Sequence, residues 1–100
     1  MRIKQAKKEL PYKEILKLKG MLDSANIKSE FHDDSKTAAK GYQIIVPYGD
    51  NMRLSVVQNK YSEGADVDLL EMWKLGSDEN STGRLTAAKC FALIKEKLNE

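Results

Sequence analysis

A segment in the middle of the chain, residues 41–58, predicts a β-hairpin. It contains two short runs rich in β-branched and aromatic residues, with Pro, Gly, Asp and Asn between them. β-Branched and aromatic side chains suit a pleated, half-buried surface, whereas the intervening residues tolerate a chain reversal. The hairpin therefore defines the centre of the fold, although no recognisable catalytic group lies in it.

Side-chain alternation along the two strands limits how they can pair. The apolar faces coincide only when even-numbered residues pair with each other, which places Val46 opposite Leu54 or opposite Met52. The second register needs a five-residue loop. We favour the first, which leaves a three-residue loop at residues 49–51, where Gly or Asn can adopt the left-handed conformation. The side chains expected to face the core are then Tyr42, Ile44, Val46, Met52, Leu54 and Val56.

Composition limits the class of protein. A chain of 100 residues with 41% hydrophobic content can build one core, and we expect a single domain over residues 1–100. Residues 1–9 are expected to form a flexible basic arm. The sequence has neither a run of about 18 apolar residues nor a signal-peptide segment, which predicts a cytoplasmic protein. The single cysteine, Cys90, excludes an internal disulfide and a multi-cysteine zinc site.

Two amphipathic helices are predicted, one on each side of the hairpin in sequence. The first begins near Pro11 and ends near Asn26, which can take the left-handed position after the last turn. Its apolar stripe consists of Ile15, Leu18, Leu22 and Ala25. The second follows Thr86, a plausible N-cap. Its apolar residues are Ala87, Cys90, Phe91, Leu93, Ile94 and Leu98, so we interpret Cys90 as a small core residue rather than a nucleophile.

Two further segments, residues 28–33 and 67–75, are strand candidates. The second also fits a helix, but its length and the neighbouring hairpin favour a strand. The sequence therefore predicts an α+β fold with an antiparallel sheet of three to four strands. An N-terminal and a C-terminal helix pack on one face of that sheet, in the order α-β-β-β-β-α.

The sequence does not indicate an enzyme, a cofactor or a metal site. His32 lies beside Asp33 and Asp34, but adjacent strand residues point to opposite faces and no second histidine exists. The segment from Asp78 resembles an EF-hand loop at its first positions, yet its twelfth position is Lys89 instead of a carboxylate. We therefore expect a non-enzymatic protein without a cofactor.

Charge is concentrated near the N-terminus, where residues 1–20 carry seven basic and two acidic side chains. Such a region can contact nucleic-acid phosphates weakly and in a salt-sensitive way. It can equally be a solvated surface, because arginine and interleaved aromatics are scarce. The candidate nucleic-acid contacts are Lys4, Lys7, Lys8, Lys13 and Lys17.

The sheet face away from the helices is the competing candidate. If it carries large apolar side chains, then another protein or a second copy of the chain would cover them. Pairing of edge strands is a second route to a homodimer. The predicted partner surface consists of Ile45, Val57, Leu70 and Met72. We therefore expect function through protein–protein binding or self-association, with nucleic-acid binding as the alternative.

A family resemblance is carried by five segments. They are YKEILKLKGML at residues 12–22, GYQIIVP at 41–47, RLSVV at 53–57, LLEMW at 69–73 and LTAA at 85–88. Together they resemble small uncharacterised proteins encoded by phages and prophages of Gram-positive bacteria. The resemblance implies a phage-encoded accessory protein made in a bacterial cytoplasm, and it transfers no catalytic or binding residue.

Overall fold

The architecture is a five-stranded antiparallel sheet with two helices, as seen in a computed structural model that describes residues 12–99. The expected basic arm and Pro11 lie outside the described residues. The elements in chain order are α1 (Glu14–Ser24), β1 (Glu30–Asp34), β2 (Gly41–Tyr48), β3 (Met52–Gln58), a 3₁₀ turn (Ala65–Val67), β4 (Leu70–Lys74), β5 (Thr82–Leu85) and α2 (Ala87–Leu98).

The strands follow one another in the sheet in the order of the sequence, so every connection is a local reversal. Helix α1 packs on β2 and β3, α2 packs on β4, and the two helices contact each other. The predicted α+β class and the placement of both helices on one face are confirmed. Strand β5 was not predicted, because it lies in a small, polar segment without the alternation that marks a strand.

The central hairpin has the predicted register. Val46 pairs with Leu54, and a three-residue turn connects the strands. Both Gly49 and Asn51 adopt the left-handed conformation in this turn, with φ of 56° and 61°. Met52 differs from the prediction, because it is 38% exposed next to the turn of the hairpin.

Helix α1 ends as its sequence predicts. Asn26 has φ of 60°, and its N–H donates to the carbonyl of Asp23 at 3.0 Å. The N–H of Ile27 reaches back to the carbonyl of Leu22 at 2.9 Å, which completes a Schellman motif. Ala25 is exposed, so the buried stripe is shorter than predicted.

The start of α2 also agrees with the sequence. The hydroxyl of Thr86 accepts a hydrogen bond from the N–H of Lys89 at 3.1 Å, as an N-cap residue should. Cys90 is fully buried, and burial raises the pKa of its thiol to about 12. Leu98, in contrast, is partly exposed at the end of the helix.

The core lies between the helices and the even-numbered side chains of the central strands. It contains three residues of α1, three of α2 and the inward faces of β2, β3, β4 and β5. Its fully buried members include Ile15, Leu18, Leu22, Ile44, Val46, Val56, Leu70, Ala87, Cys90 and Ile94. Burial of large aliphatic side chains at about 1.5–3 kcal/mol each is the main stabilising contribution in such a domain.

The N-terminus of α1 is capped from a distant part of the chain. One carboxylate oxygen of Asp68 accepts hydrogen bonds from the N–H groups of Lys13 at 2.8 Å and Glu14 at 3.2 Å. The same oxygen accepts from Nε2 of Gln58 at 2.7 Å. Oε1 of Gln58, a fully buried side chain, accepts from the N–H of Ile15 at 3.2 Å. Sequence analysis missed this arrangement, in which three otherwise unpaired helix N–H groups are satisfied.

A second distant cap joins the two helices. Oε1 of Glu14 accepts a hydrogen bond from the N–H of Ala87 at 2.6 Å, and Oε2 pairs with the Lys17 ammonium at 3.0 Å. Glu14 thus satisfies an N–H group in the first turn of α2 and places a negative charge at that helix N-terminus. The contact fixes α1 relative to α2.

Candidate functional site

The side of the sheet turned away from the helices is built from odd-numbered residues of β2, β3 and β4. Across the strands, Ile45 lies opposite Ser55, and Ser55 lies opposite Trp73. The neighbouring row runs through Gln43, Val57 and Glu71. We call these six residues, Gln43, Ile45, Ser55, Val57, Glu71 and Trp73, the outer face.

A cavity of about 390 Å³ lies on the outer face. Its floor consists of Ser55, Val57, Glu71 and Trp73, and residues 79–81 of the β4–β5 connection form a wall. The connection leads from β4 to β5, which pairs beside it, and it contacts β4 through the Glu79 carbonyl at Trp73 and the Ser81 hydroxyl at Glu71. The cavity therefore depends on β5, the strand that was not predicted.

Glu71 is held in place from two sides. One carboxylate oxygen accepts a hydrogen bond from the N–H of Glu63 at 2.9 Å, and the other accepts a short one from the Ser81 hydroxyl. Such charge-assisted hydrogen bonds are among the stronger ones in proteins. The bonds orient the carboxylate and connect the β3–β4 loop, β4 and the β4–β5 connection at this point.

Trp73 is the large aromatic side chain of the site. Its Nε1–H donates to the backbone carbonyl of Glu79 at 3.0 Å, which fixes the indole against the connection. The residue is still 38% exposed. A tryptophan with its polar atom satisfied and much of its surface exposed is well suited to contact a partner.

The remaining floor is more polar and better covered than the sequence predicted. Ser55 is 5% exposed, and its hydroxyl accepts from Nε2 of Gln43 at 2.9 Å. Ile45 is only 6% exposed and offers little surface to a partner, although it lies on the predicted face. Val57 is half-buried and lines the cavity.

Two members of the predicted partner surface, Leu70 and Met72, lie on the other face of the sheet. Leu70 is fully buried in the core, and Met72 is partly buried and packs against that core. The prediction treated residues 67–75 as one strand and took its odd-numbered side as the side facing the core, which was wrong. Strand β4 covers only Leu70–Lys74, and residues 65–67 form a 3₁₀ turn. In the observed register Met72 pairs with Val56, and Glu71 and Trp73 point outward.

Of the candidate nucleic-acid contacts, Lys4, Lys7 and Lys8 lie outside the described residues. Lys13 is exposed beside the start of α1. Lys17 is exposed on the same helix, but its ammonium pairs with the Glu14 carboxylate. Of these two candidate contacts, Lys17 is therefore already paired with an acidic side chain.

The other sequence candidates do not converge on a site. His32 lies on the edge strand β1, with Nε2 3.4 Å from Oε1 of Glu30. The carboxylate of Asp33 accepts from the N–H of Ser35 at 2.9 Å, and hydrogen bonding to Ser35 lowers the pKa of Asp33. No group of three His, Cys, Asp or Glu side chains within residues 12–99 is arranged to hold a metal ion.

The helices of the described chain are short, and neither α1 nor α2 is long and apolar enough to cross a membrane. Comparison of the chain with protein-family models, with curated proteins and with solved structures found no match.

Proposed function

We propose that this protein is a non-enzymatic binding domain that contacts another protein through the outer face and its cavity. The observation that carries the proposal is Trp73, an indole that is 38% exposed at a concave part of the sheet. Tryptophan is enriched among the residues that dominate binding energy, because it buries a large area with few rotatable bonds. The hydrogen bond to Glu79 limits its motion before a partner arrives, which lowers the entropic cost of binding.

The chemistry of the site supports binding rather than catalysis. Ser81 donates to Glu71, but the only histidine of the chain is bound to Glu30 on β1 and lines neither the cavity floor nor its wall. Activation of a serine nucleophile normally requires such a base within hydrogen-bond distance. The thiol of Cys90 is buried with a raised pKa, so it does not supply a nucleophile either.

The alternative function is weak nucleic-acid binding through the basic N-terminal region. The pairing of Lys17 with Glu14 removes part of the positive charge that this function needs. The cavity lining is also unfavourable for phosphates, because the charged residues that line it within residues 12–99, Glu71 and Glu79, are acidic. These observations favour the protein partner. We further propose that the protein works as an accessory protein in a bacterial cytoplasm, as the phage resemblance implies.

The test uses a purified partner, sought among products of neighbouring genes and host proteins. Calorimetry should compare the wild-type chain with Trp73→Ala and with the control Leu16→Ala. Leu16 is 50% exposed on α1, away from the outer face, so the control also removes an exposed apolar side chain. We expect Trp73→Ala to weaken binding about 30-fold, the effect of losing a binding hot spot of about 2 kcal/mol, with little change for Leu16→Ala.

Two results would contradict the proposal. If Leu16→Ala weakened binding and Trp73→Ala did not, then the partner would contact the helices. If binding were instead to DNA or RNA, fell steeply with salt and was lost in Lys13→Gln, then the alternative function would replace it. Sedimentation of the protein without a partner tests whether the outer face instead binds a second copy of the chain. Self-association requires a dimer that Trp73→Ala dissociates.

A further inference from the structure

We propose that the cavity on the outer face binds an arginine side chain presented by an extended basic segment of the partner protein. This inference rests on the proposed function and names the chemistry of the partner. Its basis is a fixed carboxylate, an exposed indole and a cavity lining whose charged members among residues 12–99 are both acidic.

The cavity lining carries negative charge. Of the lining residues in the part of the chain that the structure describes, Glu71 and Glu79 are acidic and the others are uncharged. Lys74, next in sequence to Trp73, pairs with Leu54 and so belongs to the helix-facing side of the sheet. Arg53 lies two positions before Ser55 on β3 and therefore on the same side of the sheet, but it does not line the cavity. Glu79 also lines a neighbouring cavity with Lys74 and Lys97, so the inference rests on Glu71. The Glu71 carboxylate accepts from the Glu63 N–H and the Ser81 hydroxyl, which are neutral donors, and it keeps its negative charge for a cation from a partner.

The spacing of Glu71 and Trp73 suits a planar cation. The two residues are two positions apart on β4 and so point to the same side, about 6–7 Å apart along the strand. A guanidinium that lies on the indole face, within about 6 Å of the ring centre, can direct its N–H groups toward the Glu71 carboxylate. Both residues are already held by hydrogen bonds, so the site is organised before the ligand arrives.

The floor can also bind the backbone of an extended segment. The Ser55 hydroxyl accepts from Nε2 of Gln43 and lines the cavity. A hydroxyl has one donor as well as its acceptor lone pairs, so Ser55 can also donate to a backbone carbonyl of the partner. Arginine is preferred over lysine because the guanidinium is planar, weakly hydrated and able to stack on an aromatic ring while donating several hydrogen bonds.

The experiment measures binding of short peptides by the fluorescence of Trp73, which is the only tryptophan of the chain and therefore reports on the cavity directly. Four capped five-residue peptides differ only in the central residue, which is arginine, lysine, citrulline or glutamate. Citrulline has the shape of arginine without its charge. We expect the arginine peptide to bind at least about fivefold more tightly than the citrulline peptide, the lysine peptide to be intermediate, and the glutamate peptide not to bind.

Variants then locate the charge that matters. Glu71→Gln can keep the bonds to Glu63 and Ser81, because an amide both accepts and donates, but it loses the negative charge. We expect Glu71→Gln to weaken binding of the arginine peptide about tenfold and to leave binding of the citrulline peptide unchanged. Asp23→Asn removes the same charge from exposed Asp23 on α1 and should change nothing.

Several outcomes would overturn the inference. Equal binding of the arginine and citrulline peptides would exclude a charge-specific site. If Glu71→Gln and Asp23→Asn lost the same amount of affinity for the arginine peptide, then the attraction would come from the overall charge of the protein rather than from the cavity. Methylguanidinium binding as tightly as the arginine peptide would assign the cavity to a free small cation. If no peptide binds while the purified partner still depends on Trp73, then the arginine inference fails and the proposed function stands. If the partner does not depend on Trp73, then both fail.

Discussion

Replacing Asp68 should reveal how much of the fold depends on a cap that reaches across the chain. Its carboxylate oxygen accepts from two N–H groups at the start of α1 and from the buried Gln58 amide. The residue also has φ of 58°, in the left-handed region that Asp, Asn and Gly tolerate better than Ala. Three substitutions at this position, Asp68→Asn, Asp68→Gly and Asp68→Ala, therefore separate the cap from the backbone conformation.

The expected losses of unfolding free energy follow from these contacts. Removing a helix cap costs about 1 kcal/mol, and leaving the Gln58 donor unsatisfied adds about 1–2 kcal/mol. Asp68→Gly should therefore cost about 2–3 kcal/mol. Asp68→Ala adds about 1 kcal/mol for the left-handed backbone. Asp68→Asn keeps the accepting oxygen and loses only its charge near the helix N-terminus, at most about 1 kcal/mol.

Urea denaturation followed by circular dichroism measures these differences. For a domain of this size, the Asp68→Gly loss corresponds to a fall in melting temperature of about 10–20 °C. Asp66→Ala is the matched control, because exposed Asp66 lies in the 3₁₀ turn that directly precedes Asp68. A cost below about 0.5 kcal/mol for Asp68→Gly, in the range of ordinary surface substitutions, would refute the argument that the cap stabilises α1.

Three further predictions concern stability and reactivity. Glu14→Ala should cost about 1 kcal/mol by uncapping α2, whereas Lys17→Ala, which removes only an exposed ion pair, should cost less than about 0.5 kcal/mol; equal costs in urea denaturation would contradict the cap. The Cys90 thiol, with its pKa raised by burial to about 12, should not react with Ellman's reagent at pH 8 until the chain unfolds, and fast reaction of the folded protein would refute its burial. Because the folded state favours the protonated thiol, the stability that this preference contributes is complete below the ordinary pKa of 9.0 and is lost as the pH rises toward 12. Gly20→Ala should stabilise the protein by about 0.5–1 kcal/mol, since a Cβ there meets nothing within 4 Å, while Gly41→Ala should cost about 3 kcal/mol or more, since its Cβ would lie 2.1 Å from a β3 carbonyl oxygen. Thermal melting of both glycine variants distinguishes the two signs.

Features determined by neighbouring residues could be predicted from the sequence. The register of the β2–β3 hairpin follows from side-chain parity and from a turn with Gly49 and Asn51. The Schellman ending of α1 at Asn26 and the Thr86 cap of α2 likewise depend on residues close in sequence. In each case the hydrogen-bonding groups and the apolar pattern lie within one turn or one strand, so the physical cause is visible locally.

The faces of β4 could not be predicted in this way. Residues 67–75 have apolar side chains on both sides of the strand, and side-chain alternation alone favoured the wrong side as the one that faces the core. Pairing of Met72 with Val56 and packing of Leu70 in the core decide which side is buried. The candidate site consequently changed from Leu70 and Met72 to Glu71 and Trp73, one position along the same strand.

The sequence by itself determined the α+β class, the central hairpin with its register and the local ends of the two helices. Only the tertiary structure decided where β5 returns, which side of β4 faces outward and how the start of α1 is capped. Asp68 caps Lys13 across 55 residues, and the Glu14 contact to α2 spans 73. Such contacts depend on chain segments that meet only after folding. No local pattern of polarity encodes them, and for the same reason the cavity beside Trp73 becomes visible only in the folded protein.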